Sequence, residues 1–242
     1  MKSTVDEIRS RFDKDVDRFS NLETGQNAAM DAPLCMGLVV EAAVAVTPGA
    51  RSLLDIGCGA GNYTLKLLER FKDADATLVD LSQPMLDRAA LRVGQATAGR
   101  VTTIQADIRE SNLGEQKFDV AVAAAVLHHL RSPEEWLAVL EKIYASLKPG
   151  GSLWIVDLVA HAQLGIQSVM QRRYGDYLAV QKDEAYRDEV FAYIEKEDSP
   201  APVMSIVDHL RSAGFVDVEV LHKHACFAAL GGVIPKEGIQ TR

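Results

Sequence analysis

Apolar and polar positions follow two rhythms along this chain, and the changes between them mark out its parts. Near the start, Val5, Ile8, Phe12, Val16 and Phe19 recur at spacings of three and four in a charged background. That spacing predicts one apolar stripe on a helix. Residues 21–27 read as a loop. The strongly apolar run 33–46 has helical length, and Pro48-Gly49 stops it. Short apolar runs at 52–56, 76–79, 101–106, 118–123 and 153–156 then read as strands, the second and third ending in Asp80 and Asp107. Ser82 caps a helix with Pro84 in its first turn. Ser132-Pro133-Glu134-Glu135 is a capping box, and Lys148-Pro149-Gly150-Gly151 ends the helix it opens.

Short buried strands alternating with helices predict an α/β fold, a parallel sheet covered on both faces with right-handed crossovers. The rhythm breaks after residue 157. Residues 158–203 are longer, more polar and mostly helical in propensity. Gly214 stops a helix over 204–213, and two strands follow at 215–221 and 226–233, with Leu221-His222-Lys223-His224 as the hairpin link. A length of 242 residues suits one domain. Its expected parts are a helical N-terminal cap (1–47), a core (48–157), a helical cover (158–203) and a final helix with hairpin (204–234).

Composition narrows the function. The net charge of −8 argues against a broad phosphate-binding surface. Cys35, Cys58 and Cys226 are too scattered for a disulfide framework or a metal knuckle, so no metal is expected. The chain starts without an apolar leader core and has no run long enough to span a bilayer, so a cytoplasmic protein is expected.

The richest chemistry lies in Leu53-Leu54-Asp55-Ile56-Gly57-Cys58-Gly59-Ala60-Gly61. A strand ends here in a loop with glycine at every second position, and a helix follows at once. Such a loop turns sharply and lets a ligand lie on bare backbone, with free N–H groups at the helix start behind it. The dinucleotide fingerprint spaces its glycines as G-x-G-x-x-G. Here the spacing is G-x-G-x-G, with Asp80 at the end of the second strand, where a ribose diol would sit. A nicotinamide cofactor stays open on these residues alone.

The segment 55–61 resembles motif I of the class I S-adenosylmethionine-dependent methyltransferases. Asp80, Gln105-Ala106-Asp107-Ile108, Phe118-Asp119-Val120, Val126-Leu127-His128-His129-Leu130 and Leu147-Lys148-Pro149-Gly150-Gly151 resemble further motifs of that family, in its order, over roughly residues 50–157. The resemblance implies a Rossmann-like, seven-stranded, mostly parallel sheet whose last strand is inserted antiparallel. It implies S-adenosyl-L-methionine as cofactor. Asp55, Gly57, Cys58 and Gly59 would meet its methionine and ribose parts, with Asp80 on the ribose hydroxyls. Leu81, Asp107 and Ile108 would meet adenine, and Ala124 the methionine moiety.

A nearer likeness is to the branch containing carboxy-S-adenosylmethionine synthase, of the tRNA wobble-uridine pathway. It rests on Arg11-Phe12-Asp13-Lys14-Asp15-Val16, the polar stretch 158–203, and Leu210-Arg211-Ser212-Ala213-Gly214-Phe215. In that branch an arginine on the penultimate helix holds the extra carboxylate, and a tyrosine sits in the N-terminal loop. His209 and Gln26 stand at those positions here, so plain methyl transfer is the reading adopted.

Methyl transfer from a sulfonium asks the protein mainly for alignment and exclusion of water, with a base only for a protonated acceptor. His128 and His129, just past the fourth strand, are the candidate bases; packing at a helix start is their bland alternative. Tyr174, Tyr177, Tyr186 and Tyr193 all lie in 158–203, and Arg172 and Arg173 have no acid within two positions of Arg172. The expected acceptor is therefore a small molecule, an anionic one included, bound by Arg172, Arg173, Tyr174, Tyr177 and His209. The competing expectation is a helix pair whose tyrosines pack and whose charges are solvated. A tRNA substrate, a non-catalytic cofactor-binding regulator and a nicotinamide dehydrogenase are the other readings. Monomer and homodimer both stay open.

Overall fold

The computed structural model describes residues 2–21 and 27–236. Five strands lie parallel: β1 (Ser52–Ile56), β2 (Asp75–Asp80), β3 (Val101–Gln105), β4 (Phe118–Ala124) and β5 (Leu147–Leu158). A hairpin of β6 (Val216–His224) and β7 (Phe227–Val233) joins β5 through β7, which runs antiparallel. The order across the sheet is β3-β2-β1-β4-β5-β7-β6. This is the seven-stranded, mostly parallel, Rossmann-like architecture that the motifs imply.

Successive side chains of a strand face opposite sides, so each central strand feeds two cores. Leu53, Val120, Val122 and Trp154 pack with the helices α3 (Ala32–Val46), α4 (Asn62–Leu68) and α5 (Gln83–Gly94). Leu54, Ile56, Ala121, Leu153 and Ile155 pack with α6 (Pro133–Ser146) and α9 (Val203–Ser212). The central strands therefore read as continuous apolar runs, because neither face meets water.

The chain lays β1, β2 and β3 outward in one direction, then returns to place β4 on the other side of β1. The loops after β1 and β4 diverge at that reversal and leave a crevice outside the carboxyl ends of the strands, where open α/β sheets bind ligands. Two further pieces roof it. The N-terminal stripe is not one helix but two, α1 (Val5–Phe12) and α2 (Val16–Ser20). The chain turns between them, bringing the rings of Phe12 and Phe19 to 5.7 Å from each other. A straight helix would hold those rings apart and leave the crevice uncovered. The second piece is the helix pair α7 (Leu164–Gln181) and α8 (Glu184–Glu197). It packs on Met30, Leu158 and Phe227 through Tyr174 and Leu178.

The hairpin turns later than the sequence pattern suggests. Strand β6 continues through His222 and His224, and the turn falls on Ala225-Cys226, with Ala225 at φ +43°. Cys226 is buried, which pins the turn against the core. No helix among the described residues is long and apolar enough to cross a membrane.

Leu54 is fully buried in the sheet, whereas Leu164 is 81% exposed. Leu54→Ala is expected to lower unfolding free energy by about 2–5 kcal/mol. Leu164→Ala should change it by less than about 0.5 kcal/mol. Urea unfolding followed by circular dichroism checks both.

Candidate active site

The crevice closes into a cavity of about 280 Å³, lined by the ends of β1, β2, β4 and β5 and by the two roofing pieces. One end of it is built by the glycine loop. The N–H groups of Gly57 and Cys58 both donate to the Val79 carbonyl, at 2.8 and 3.0 Å, which locks the loop onto β2. Gly57 has φ +65°, and a Cβ there would lie 2.5 Å from the Val126 side chain, so the loops after β1 and β4 can meet only over a glycine. Gly59 has φ +50° and open space where a Cβ would stand.

Asp55 faces the α4 side of the sheet. Its Oδ2 accepts from the Thr64 hydroxyl at 2.6 Å and the Thr64 N–H at 3.2 Å, tying β1 to the helix behind the loop. Burial pushes its pKa up to about 6, with Thr64 opposing. Asp80 accepts from the Gly59 N–H at 2.8 Å through Oδ2 and from the Ser82 N–H at 2.9 Å through Oδ1. This leaves acceptor capacity toward the cavity on a carboxylate whose pKa burial also raises. Leu81, Ile108 and Ala124 line the same end. The Cys58 thiol is buried, and burial lifts its pKa well above the ordinary thiol value, so it stays protonated and inert.

Asp107 carries a partner absent from the sequence reading. Arg109 donates to it from its backbone N–H at 2.9 Å and from Nε and Nη2 at 3.0 and 2.6 Å. Burial opposes ionisation of Asp107, but Arg109 outweighs it and holds the pKa below the ordinary carboxylate value. An adenine amino group would have to share this carboxylate with Arg109.

The other end of the cavity is a polar pole in an apolar wall. His128 and His129 lie on a single 3-10 turn (Leu127–His129) after β4. His128 Nδ1 makes a short hydrogen bond to Asp157, at the end of β5, and its backbone N–H donates to the same carboxylate at 3.1 Å. Asp198, just past α8, approaches His128 Nε2 at 3.6 Å and His129 Nδ1 at 3.3 Å. Burial opposes protonation of His128, but the Asp157 and Asp198 carboxylates outweigh it and raise its pKa to about 9. Burial, then the charge on His128, drives His129 well below the ordinary imidazole value.

The roof is clasped over this pole. Arg11 of α1 pairs with Glu197 at 3.0 Å and donates to the Tyr193 hydroxyl at 2.9 Å. The Ser3 N–H donates to the Lys196 carbonyl at 3.0 Å, and Arg131 donates to the Ser3 carbonyl. At the glycine loop, Asn62 Nδ2 donates to the Phe19 carbonyl at 2.9 Å.

Not every residue singled out by sequence reaches the cavity. Arg172 and Arg173 are exposed on α7, because Tyr174 takes the inward position and turns its neighbours out. His209, half-buried on α9, packs on the far side of the sheet and does not line the cavity. His161 hydrogen-bonds Gln167 and Lys223 outside it. The ring of Tyr174 lines the cavity, but its hydroxyl donates to the Ala28 carbonyl at 2.8 Å; Tyr177 donates to Asn27 at 3.0 Å. Gln26 falls outside the described residues. The cavity also recruits residues the sequence did not flag. Asp157 ends a strand as Asp80 and Asp107 do, a signal that could have found it. Asp198 stands in the run Glu195-Lys196-Glu197-Asp198, which reads as a solvated helix end.

The architecture is the class I methyltransferase fold. Residues 53–151 match the family model of a methyltransferase domain. Over 102 residues the chain is 36% identical to malonyl-acyl-carrier-protein O-methyltransferase of Priestia megaterium, covering 42% of this chain and 35% of that one. Over 169 residues it is 28% identical to demethylmenaquinone methyltransferase of Chlamydia trachomatis, covering 69% and 71%. The match spans between about a third and a half of the length of the first curated relatives. Among solved structures, 1,6-didemethyltoxoflavin-N1-methyltransferase of Burkholderia thailandensis superposes with a TM-score of 0.63 at 19% identity, over 98% of this chain and 92% of that one. That structure holds 1,6-didemethyltoxoflavin and S-adenosylhomocysteine.

Asp55 yields a pH signature. Its pKa is higher folded, about 6, than the ordinary 3.8, so its contribution to stability is full below about pH 4 and is lost as pH rises through 6. Asp55→Asn keeps an acceptor for Thr64 and has no charge to bury. Relative to the parent, the variant should gain on the order of 2 kcal/mol between pH 4 and pH 7. Thermal melts of both proteins across that range read it out.

Proposed function

We propose that this protein is an S-adenosylmethionine-dependent methyltransferase acting on a small, neutral, largely apolar acceptor. One observation carries the reading: carboxylates of Asp55, Asp80, Asp107, Asp157 and Asp198 surround a cavity whose remaining walls are mostly apolar. Such a cavity suits a cationic sulfonium, although Arg18 and Arg131 also line it and Arg109 is taken up by Asp107. The arginines expected to hold an anionic acceptor are outside it, which removes the support for that substrate class. His209, outside it as well, offers no reason to invoke a carboxylated cofactor.

The residues fit the cofactor. The open face at Gly59 would admit its ribose and methionine parts, and Asp80 would accept from the ribose hydroxyls. Leu81 and Ile108 would flank adenine, with the Asp107–Arg109 pair at its amino edge. Asp55 acts through Thr64 to hold the loop in place. When bound, the cofactor supplies a methyl group already activated on sulfur. The chain then has to align the acceptor and exclude water. Phe12, Phe19, Val190 and Ile194 would hold its apolar body, and the Arg11–Glu197 clasp would keep the roof shut. His128 and His129 would meet its heteroatom. An RNA acceptor gains no support from so small a chamber with acidic walls.

Calorimetry with S-adenosylmethionine, S-adenosylhomocysteine and NAD tests the assignment. Both adenosyl ligands should bind, and Asp80→Ala should weaken them by about 1–3 kcal/mol, roughly 5- to 150-fold. Binding of NAD with neither adenosyl ligand overturns the reading. A transfer screen over neutral phenols, amines and heteroaromatic acceptors separates enzyme from regulator; tight cofactor binding with no turnover favours the regulator.

A further inference from the structure

We infer that His128, His129 and Asp198 form a binding site for one divalent transition-metal ion at the acceptor end of the cavity. The inference deepens the proposed function by naming what meets the acceptor's heteroatom, and its test does not depend on methyl transfer.

The first observation is a set of unmet atoms. Both ring nitrogens of His129 and Oδ1 of Asp198 are buried without a hydrogen-bond partner. Asp198 is only 3% exposed. Unpaired buried polar atoms are costly, and two of these, His129 Nδ1 and Asp198 Oδ1, face each other and point to one missing partner between them.

Spacing identifies that partner. His129 Nδ1 stands 3.3 Å and His128 Nε2 3.6 Å from Asp198 Oδ1, and the three atoms lie within 4.8 Å of one another. Ligand bonds of about 2.0–2.2 Å at tetrahedral angles put neighbouring donor atoms roughly 3.4 Å apart. The two separations to Asp198 Oδ1 fit ligands around an ion, and the 3.3 Å contact is too poorly directed to be a hydrogen bond.

The surroundings agree. Asp157 holds the His128 ring through Nδ1, so Nε2 is the ring atom that faces Asp198 and would give up its proton to bind an ion. A carboxylate behind a ligating histidine is the usual arrangement at metal sites. Glu197 is matched by Arg11, so without an ion Asp157 and Asp198 face one imidazolium, His128; a dication that displaces its Nε2 proton balances both carboxylates. Two imidazoles and one carboxylate suit zinc, iron(II), cobalt(II) or nickel(II) over magnesium or calcium. The remaining coordination position would take an oxygen or nitrogen donor of the acceptor.

A second cluster provides the control. His222 Nε2 and His224 Nδ1 each lie 2.8 Å from the same oxygen, Oδ2 of Asp31. Hydrogen bonding accounts for the facing atoms of all three groups, which are partly open to water.

Cobalt(II) titration of tag-free, chelator-treated protein tests the inference through visible d–d absorption, with bound metal counted by mass spectrometry. One cobalt per chain is expected. Asp198→Asn and His129→Ala should abolish the band while circular dichroism shows them folded, and His224→Ala should retain it. Asp157→Asn should weaken binding roughly 10- to 100-fold. Should Asp198→Asn fail to fold, His129→Ala carries the reading. No cobalt binding by the parent, or loss of the band in His224→Ala with retention in His129→Ala, overturns the inference and leaves a buried imidazolium between two carboxylates. Cobalt binding without adenosyl-ligand binding would defeat the proposed function and leave this site standing.

Discussion

Five carboxylates, Asp55, Asp157 and Asp198 buried and Asp80 and Asp107 half-buried, gather around one end of a parallel sheet, and the demand that each be answered organises the rest of the molecule. A buried charge is tolerated only when something donates to it. Asp55 is answered by Thr64, which fixes the start of α4. Asp80 is answered by the N–H groups of Gly59 and Ser82, which fixes the glycine loop and caps α5's approach. Asp107 is answered by Arg109, and Asp157 by the ring and backbone of His128. Of the five, Asp198 is the one with a fully buried oxygen that has no donor. The same groups that order the loops thus give the cavity its sign, and the gap in the pattern marks where its chemistry concentrates.

The roof has a matching logic. The cover packs on an apolar cluster around Tyr174 and Leu178, and a few directed contacts tie its rim to the cap, and the cap to the glycine loop. Arg11 spans from α1 to Glu197 and Tyr193, while Asn62 fastens the Phe19 carbonyl to the glycine loop. Between these fastenings the roof offers the cavity mainly aromatic and aliphatic side chains. A few polar ties around an apolar ceiling let one surface exclude water while its rim stays fastened.

Local chemistry in the sequence was enough for the frame of the fold. Central strands betray themselves because both faces are buried, and helix ends because serine, proline and glycine act within a few residues. The residues picked out around the glycine loop, from Asp55 to Ile108, converge on one cavity because each sits at a strand end that the crossover rule carries to the same edge. The substrate end was far less legible. Arg172 and Arg173 looked free because no acid stood near them in sequence, but helical phase turned them outward once Tyr174 packed inward. The N-terminal stripe read as one helix because periodicity carries no record of the turn at 13–15.

What the sequence by itself determined is therefore the sheet, its glycine loop and the acidic strand ends, since these depend on periodicity and turn chemistry within short windows. Tertiary structure alone decided the partners. Arg109 against Asp107, Arg11 against Glu197, and Asp198 against His128 and His129 join side chains whose local surroundings look ordinary. Asp198 reads as one more solvated charge until α8 carries it under the roof, where loss of water leaves an ordinary carboxylate, like His129 beside it, with a buried atom unsatisfied.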